Sequence, residues 1–299
     1  MKKKINYLLV CAAALAVSGG AFVSCSKDEA LPAIDGYNNS NEVGAANLVA
    51  HWTFDSDNKE AISGTAPSNT YGTVGSTTGQ IGNALQLTKG ALVYPPITKI
   101  NTADALPNFT VSMWVNVKDT KGAGGAFTAF FQIIPTNVAD IWGNVGALAE
   151  TGRHLPASDT LELKNYLNTT MPDNTQSGQD NIAQKNTGDG TGAWFLGAKK
   201  WIHYVMTWDA STHKFEVYGN GVAVGAYTVR GTTPALKMRV PAQAVFGSLA
   251  ATDIDFANAG VRGDWYPMAT ASIDDVRVFN TVLAQKDITA LFNLGTASR

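Results

Sequence analysis

The chain has 299 residues, a formal net charge of −2, 29 glycines and only 15% charged residues. No basic patch stands out, which argues against nucleic acid as a partner. Two cysteines, Cys11 and Cys25, leave no room for a disulfide framework or a thiolate metal site once the N-terminal leader is considered.

The first element is that leader. Lys2, Lys3 and Lys4 precede an apolar stretch from Tyr7 to about Val17, then Ser18, Gly19, Gly20 and Ala21, then Phe22-Val23-Ser24-Cys25. This order predicts a secretory signal peptide over 1–24. The apolar stretch falls short of the roughly 20 residues that span a bilayer. A cysteine after a small residue at the cleavage point resembles a bacterial lipoprotein lipobox, with Phe22 where that motif usually has Leu. The resemblance implies lipidation at Cys25, and several acyl chains anchor stably because each buried methylene adds about 0.8 kcal/mol. The alternative is an ordinary signal peptide that contains Cys25. Lys27-Asp28-Glu29 resembles the export signal of Bacteroidota lipoproteins, which implies the outer membrane and the cell surface; the alternative is a solvated tether. Removal of residues 1–24 leaves 275 residues and a balance near −5, since three of the 22 basic side chains go and all 24 acidic ones stay. That length builds a large core without disulfides.

Residues 25–46 are polar, with Pro32, Gly36 and Asn38-Asn39-Ser40-Asn41, and are expected as a flexible tether. Strands follow over 47–299. Leu48, Ala50, Trp52 and Phe54 alternate onto one face. Phe109, Val111, Met113, Val115 and Val117 share a face, which puts Trp114 on the other. Residues 126–134 are apolar on both faces, as a central strand would be. Further strands are expected over 201–208, 214–219 and 269–279. Asn220-Gly221 predicts a type I′ hairpin between Phe215-Glu216-Val217-Tyr218 and Val222-Ala223-Val224. The one helix is expected over 284–293, with Ile288, Leu291 and Phe292 on one side. Many short strands with almost no helix predict an all-β antiparallel sandwich, with residues 135–192 as a long loop-rich insertion.

Four stretches together resemble the laminin-G-like, concanavalin A-like lectin/glucanase jelly roll. They are Leu48 to Asp55; Gly72-Thr73-Val74-Gly75 with Gly79 to Leu85; Phe109 to Val115; and Ser272 to Asn280 with the helix after it. Trp201 to Asp209 and Tyr218 to Gly221 fit as well. The chain departs from the family at Ala61, where the family has an acidic residue three before the position of Gly64, and near Ala284, where the helix usually starts with Ser. A fold of this kind does not state a function.

Catalysis of glycoside cleavage needs two carboxylates held about 5–10 Å apart. No Glu-x-Asp-x-x-Glu string exists, and Glu150, Glu162 and Glu216 read as isolated. His51, His154, His203 and His213 show no metal spacing. The expectation is therefore not an enzyme. Asp55, Asp57 and Asp274 could supply part of the oxygen set of a structural calcium ion; the alternative is an Asp275 or Asp274 ion pair to Arg277 with turn capping by Asp55. Sugars offer an apolar C–H face and a rim of hydroxyls, so aromatic platforms beside polar groups are the functional lead. Trp114, Trp142, Trp194, Arg262, Trp265 and Tyr266 are the candidate ligand-binding residues. The expected function is glycan binding without catalysis by a lipid-anchored surface protein. The alternatives are a protein-binding adhesin or assembly component, and then a glycoside hydrolase or polysaccharide lyase.

Overall fold

The computed structural model describes residues 31–117, 127–136, 138–151, 157–170, 176–182, 195–227 and 238–299. Cys25, the leader and Lys27-Asp28-Glu29 lie outside the described residues, as do His154 and Trp194.

Among the described residues fourteen strands form, all paired antiparallel. They are β1 (Leu48–Trp52), β2 (Asn69–Thr78), β3 (Asn83–Val93), β4 (Phe109–Val117), β5 (Thr128–Pro135), β6 (Val145–Glu150), β7 (Thr160–Thr170), β8 (Gln176–Ile182), β9 (Phe195–Leu196), β10 (Ile202–Asp209), β11 (Lys214–Gly219), β12 (Val222–Tyr227), β13 (Pro241–Phe246) and β14 (Ala269–Phe279). Among the described residues one α-helix, α1 (Gln285–Thr296), follows β14. The ladder runs β12-β11-β10-β4-β14-β3-β13-β5-β6-β7-β8, with β1 on β14, β2 on β3 and β9 on β7.

β3 joins the two halves of this ladder. Its residues Leu85 to Gly90 pair with β14, and Leu92 and Val93 pair with β13. The halves fold face to face, because their apolar stripes enter one core. Val111, Met113 and Val115 of β4 and Tyr204, Met206 and Trp208 of β10 lie there with Ile133 of β5, Ala147 of β6 and Leu161, Leu163 and Leu167 of β7. Two hydrogen bonds stitch the layers: Tyr204 Oη donates to Lys164 O at 2.6 Å, and Asn165 Nδ2 donates to Glu216 O at 3.1 Å. Trp52 sits within this core, edge-on to Tyr94, Phe131 and Phe246.

The hairpin forms as the sequence predicts, with Asn220 at φ 51° and Gly221 at φ 76°. The helix runs three residues past its expected end and starts after Ala284, which offers no side-chain cap. Ile288, Leu291 and Leu294 pack it on the outer face of the β4/β10 layer. His203 lies not in the core but on the opposite face of β10, buried under α1 with its ring 5.1 Å from that of Trp114; it bonds to Ser112 Oγ at 2.8 Å, and burial drives its pKa down to about 3.

Two expectations are corrected. The described parts of residues 135–192, expected as a loop-rich insertion, instead hold β6, β7 and β8, which complete the second layer. The apolar faces are Val145, Ala147 and Ala149, then Leu161, Leu163 and Leu167. Small residues and polar flanks masked them. Residues 34–46, expected as part of a flexible tether, belong to the fold. Val43 is buried, Tyr37 Oη donates to Asp287 Oδ1 at 2.8 Å, and Asn293 Nδ2 donates to Asp35 Oδ2 at 2.7 Å. Arg277, 2% exposed, donates to Ser40 O, Ser40 Oγ and Asn41 Oδ1. The same guanidinium pairs with Asp275 at 2.8 Å, and His51 Nε2 meets that carboxylate at 2.7 Å. Burial alone would raise Asp275, but Arg277 and His51 outweigh it and hold the carboxyl well below the usual range.

Candidate functional site

The arm and α1 cover the outer face of one layer; the outer face of the other carries a different chemistry. Alternation along β7 turns Glu162, Lys164 and Tyr166 away from the core that takes Leu161 and Leu163. On β6 it turns Leu148 and Glu150 the same way. Register places Glu150 directly opposite Glu162. The two acids that read as isolated in sequence are therefore cross-strand neighbours, with Cβ atoms about 5 Å apart. Lys164 Nζ donates to Glu150 Oε1 at 2.9 Å and lies over the rings of Phe127 and Trp142 at 5.8 and 5.9 Å. Its ammonium is thus held by a carboxylate and two aromatic faces.

Aromatic side chains roof these charges. Trp142 stacks on Tyr166 with centroids 4.5 Å apart, and lies 6.3 Å from Phe127 and 6.1 Å from Trp265. Trp265 contacts Phe127 edge-on at 5.5 Å and is 44% exposed. The turn that presents it is braced from within. Arg262 donates to both Asp253 oxygens at 2.8 and 2.9 Å and to Tyr266 O at 3.0 Å. Tyr266 Oη donates to Val261 O at 2.8 Å. The result is a preorganised ledge with an indole at its edge, a part-buried second indole behind it, and an ammonium–carboxylate set beneath.

The sequence candidates divide on this geometry. Trp142, Arg262, Trp265 and Tyr266 come together. Of these, Trp265 is the exposed one; Tyr266 is 2% exposed and Arg262 is committed to Asp253, so both position the turn rather than offer contacts. Trp114 is corrected outright. It does lie opposite the core face, but α1 covers it: it stacks on Phe292 at 5.9 Å and is 3% exposed. Trp194 lies outside the described residues. Phe127, Glu150, Glu162, Lys164 and Tyr166 were missed. The alternation in Leu161-Glu162-Leu163-Lys164 was the signal that could have found two of them.

The three aspartates split as well. Asp274 Oδ2 accepts the amides of Gln80 and Ile81 at 2.8 and 2.9 Å, and Asp55 Oδ1 accepts that of Asn83 at 2.9 Å. Both carboxylates thus sit on the Gly79–Asn83 turn. Asp57 is exposed and pairs with Lys59 at 3.2 Å. Asp274 Oδ1 is buried without a hydrogen-bond partner, and burial, foremost, pushes its carboxyl up to about 7. An orphaned oxygen of this kind fits a hard cation or a proton. Among the described residues, no three His, Cys, Asp or Glu side chains gather as a metal-holding group, so backbone oxygens would have to complete the set. Asp55 also caps its turn and Asp275 pairs with Arg277, so both features of the calcium-free alternative are present.

Comparison with known proteins agrees with this architecture. No curated protein matches the chain. Among solved structures, the binding domain of botulinum neurotoxin DC in complex with SialylT is similar at 12% identity and a TM-score of 0.53, over 84% of this chain and 52% of that one. The binding domain of Paraclostridial Mosquitocidal Protein 1 gives 14% identity and 0.52, over 84% and 52%. Domain 4 of AbnA, a GH43 extracellular arabinanase from Geobacillus stearothermophilus in complex with arabinotriose, gives 17% identity and 0.50, over 82% and 98%. The chain spans about half the length of the two toxin domains. At these identities the likeness is one of fold. The laminin G-like family model described as the concanavalin A-like lectin/glucanases superfamily matches residues 95–289, and the chain belongs to that superfamily.

Proposed function

We propose that this chain binds glycan without catalysis and is displayed, lipid-anchored at Cys25, on the cell face of the outer membrane. The observation that carries the binding reading is Trp265, an exposed indole on a turn braced by Arg262 and Tyr266. Rigid aromatic surface beside a few fixed polar groups is how orientation and affinity are obtained without a large ordering cost. Two of the similar domains were solved with arabinotriose or with SialylT, which supports the reading. The absence of catalysis is supported by Glu150, which is held by Lys164 and is 3% exposed, as Glu162 is. A calcium ion at Asp274 and Asp55 would serve the fold, since a ligand bound only to the folded state stabilises it. An array of neutral and acidic glycans tests the function: saturable binding that fails in Trp265→Ala supports it, and a blank array overturns it. One observation favours a protein partner instead. Val261 is 84% exposed beside Trp265, and crosslinking that recovers a protein from an array-negative chain would choose that reading.

A further inference from the structure

Lys164 and Glu150 bring an amine and a carboxyl into contact away from water. Lys164 Nζ lies 2.9 Å from Glu150 Oε1, so the carboxyl carbon is one bond beyond the contact. The two side chains are only 10% and 5% exposed. The rings of Phe127 and Trp142 lie 5.8 and 5.9 Å from the same nitrogen, and Tyr166 stacks on Trp142. Glu162, 3% exposed, stands opposite Glu150 in the register and two residues before Lys164 on the same face of β7. An amine, a carboxyl and a second carboxyl therefore share one enclosure walled by aromatic rings. A buried ion pair returns little net stability, because desolvation offsets the attraction. A covalent bond between the same two groups removes both charges.

We propose that Lys164 and Glu150 condense into an intramolecular amide, Nζ to Cδ, with Glu162 as the proton carrier. The step is independent of the glycan-binding reading. A proton first passes along the hydrogen bond from Nζ to Glu150 Oε1, leaving a neutral amine and a neutral acid. The nitrogen lone pair then attacks Cδ and the N–C bond forms. Glu162 takes the proton that the nitrogen sheds and hands it to the departing hydroxyl. The C–O bond breaks, one water leaves, and Glu162 is returned to its starting form. Nothing is oxidised or reduced, and no co-reactant is needed. Well-oriented groups within one molecule react as though present at about 10⁵–10⁸ M. The aromatic walls keep bulk water from the product and so oppose the reverse hydrolysis. The amide ties β6 to β7 beneath Trp142 and fixes the floor on which the ledge rests.

The test is peptide mapping by mass spectrometry of the purified full chain, unfolded and digested with trypsin. Arg153 lies between the two residues in sequence, so digestion parts them in a linear chain, whereas a bond between them leaves one branched peptide. The expected result is a branched peptide, uncut after Lys164 and lighter than its two components by one water, with fragment ions that place the bond at Lys164 and Glu150. Lys164→Arg keeps the cation but cannot form this amide, and should give linear peptides only. Glu162→Gln keeps the shape but removes the proton carrier, and its branched fraction should fall at least tenfold. Complete cleavage after Lys164 in the wild type, with both linear peptides at their unmodified masses, overturns the proposal without requiring any variant to fold. A branched peptide in Lys164→Arg overturns the assigned bond. A branched fraction undiminished in Glu162→Gln overturns the role given to Glu162.

Discussion

Arg277→Met removes the side chain that fastens the N-terminal arm to the sandwich. Arg277 is 2% exposed and serves Asp275, Ser40 and Asn41 together, while His51 leans on the same Asp275. Methionine fills much of the volume but leaves the Asp275 carboxylate buried with His51 alone. Breaking a buried pair from one side costs about 3–5 kcal/mol. At about 2–4 °C per kcal/mol for a domain near this size, the melting temperature should fall by on the order of 10 °C. Amide exchange over residues 34–47 should rise before the core opens. Asp275→Asn combined with Arg277→Met should cost less than the sum of the two singles, because the stranded charge is gone. The pH dependence follows from Asp275, whose folded pKa is depressed. Its contribution is present above the ordinary carboxylate range and is lost as pH falls through the lower folded value, so Arg277→Met should flatten the acid limb. A melting point within 2 °C of wild type and an unchanged arm would refute the keystone role.

The Asp274 carboxyl is raised from 3.8 to about 7 in the fold, so its contribution is fully present below pH 3.8 and is lost as pH rises through 7, by at most roughly 4 kcal/mol at 1.36 kcal/mol per pH unit. In chelator, wild-type stability should therefore decline between pH 4 and 7 while Asp274→Asn stays flat, and added calcium should remove the decline; equal slopes in both proteins would reject this. A Cβ at Gly295 would lie 2.6 Å from the Trp114 ring, so Gly295→Val should cost about 1–3 kcal/mol by overpacking and expose Trp114, read as a red-shifted indole emission in a denaturant series. Cys25→Ala should release the protein from membranes, measured by fractionation and by uptake of labelled acyl chains; a wild type that never takes up label would end the lipoprotein reading.

The strands with strong alternation were legible in the sequence. Phe109 to Val117 and Ala269 to Phe279 form β4 and β14 over those same residues, and Asn220-Gly221 makes the turn it signals. What was not legible depended on partners distant in the chain. Trp114 points outward by alternation, and nothing local says that Phe292 and Gly295 will cover it. Glu150 and Glu162 become neighbours only through the register of β6 with β7. Arg262 and Tyr266 read as contacts because they flank Trp265; the structure turns both inward as braces. Ser40 to Val43 looked like linker because its buried bonds go to Arg277, more than two hundred residues on.

The claim that an indole ledge on the second layer binds glycan is tested most directly by calorimetric titration of wild type and Trp265→Ala with the best-bound oligosaccharide from the array. The account predicts a saturable wild-type isotherm and at least a tenfold weaker one in the variant, about 1.4 kcal/mol or more, with melting temperatures that agree. Equal affinities, or the same absence of heat from both proteins, would contradict it.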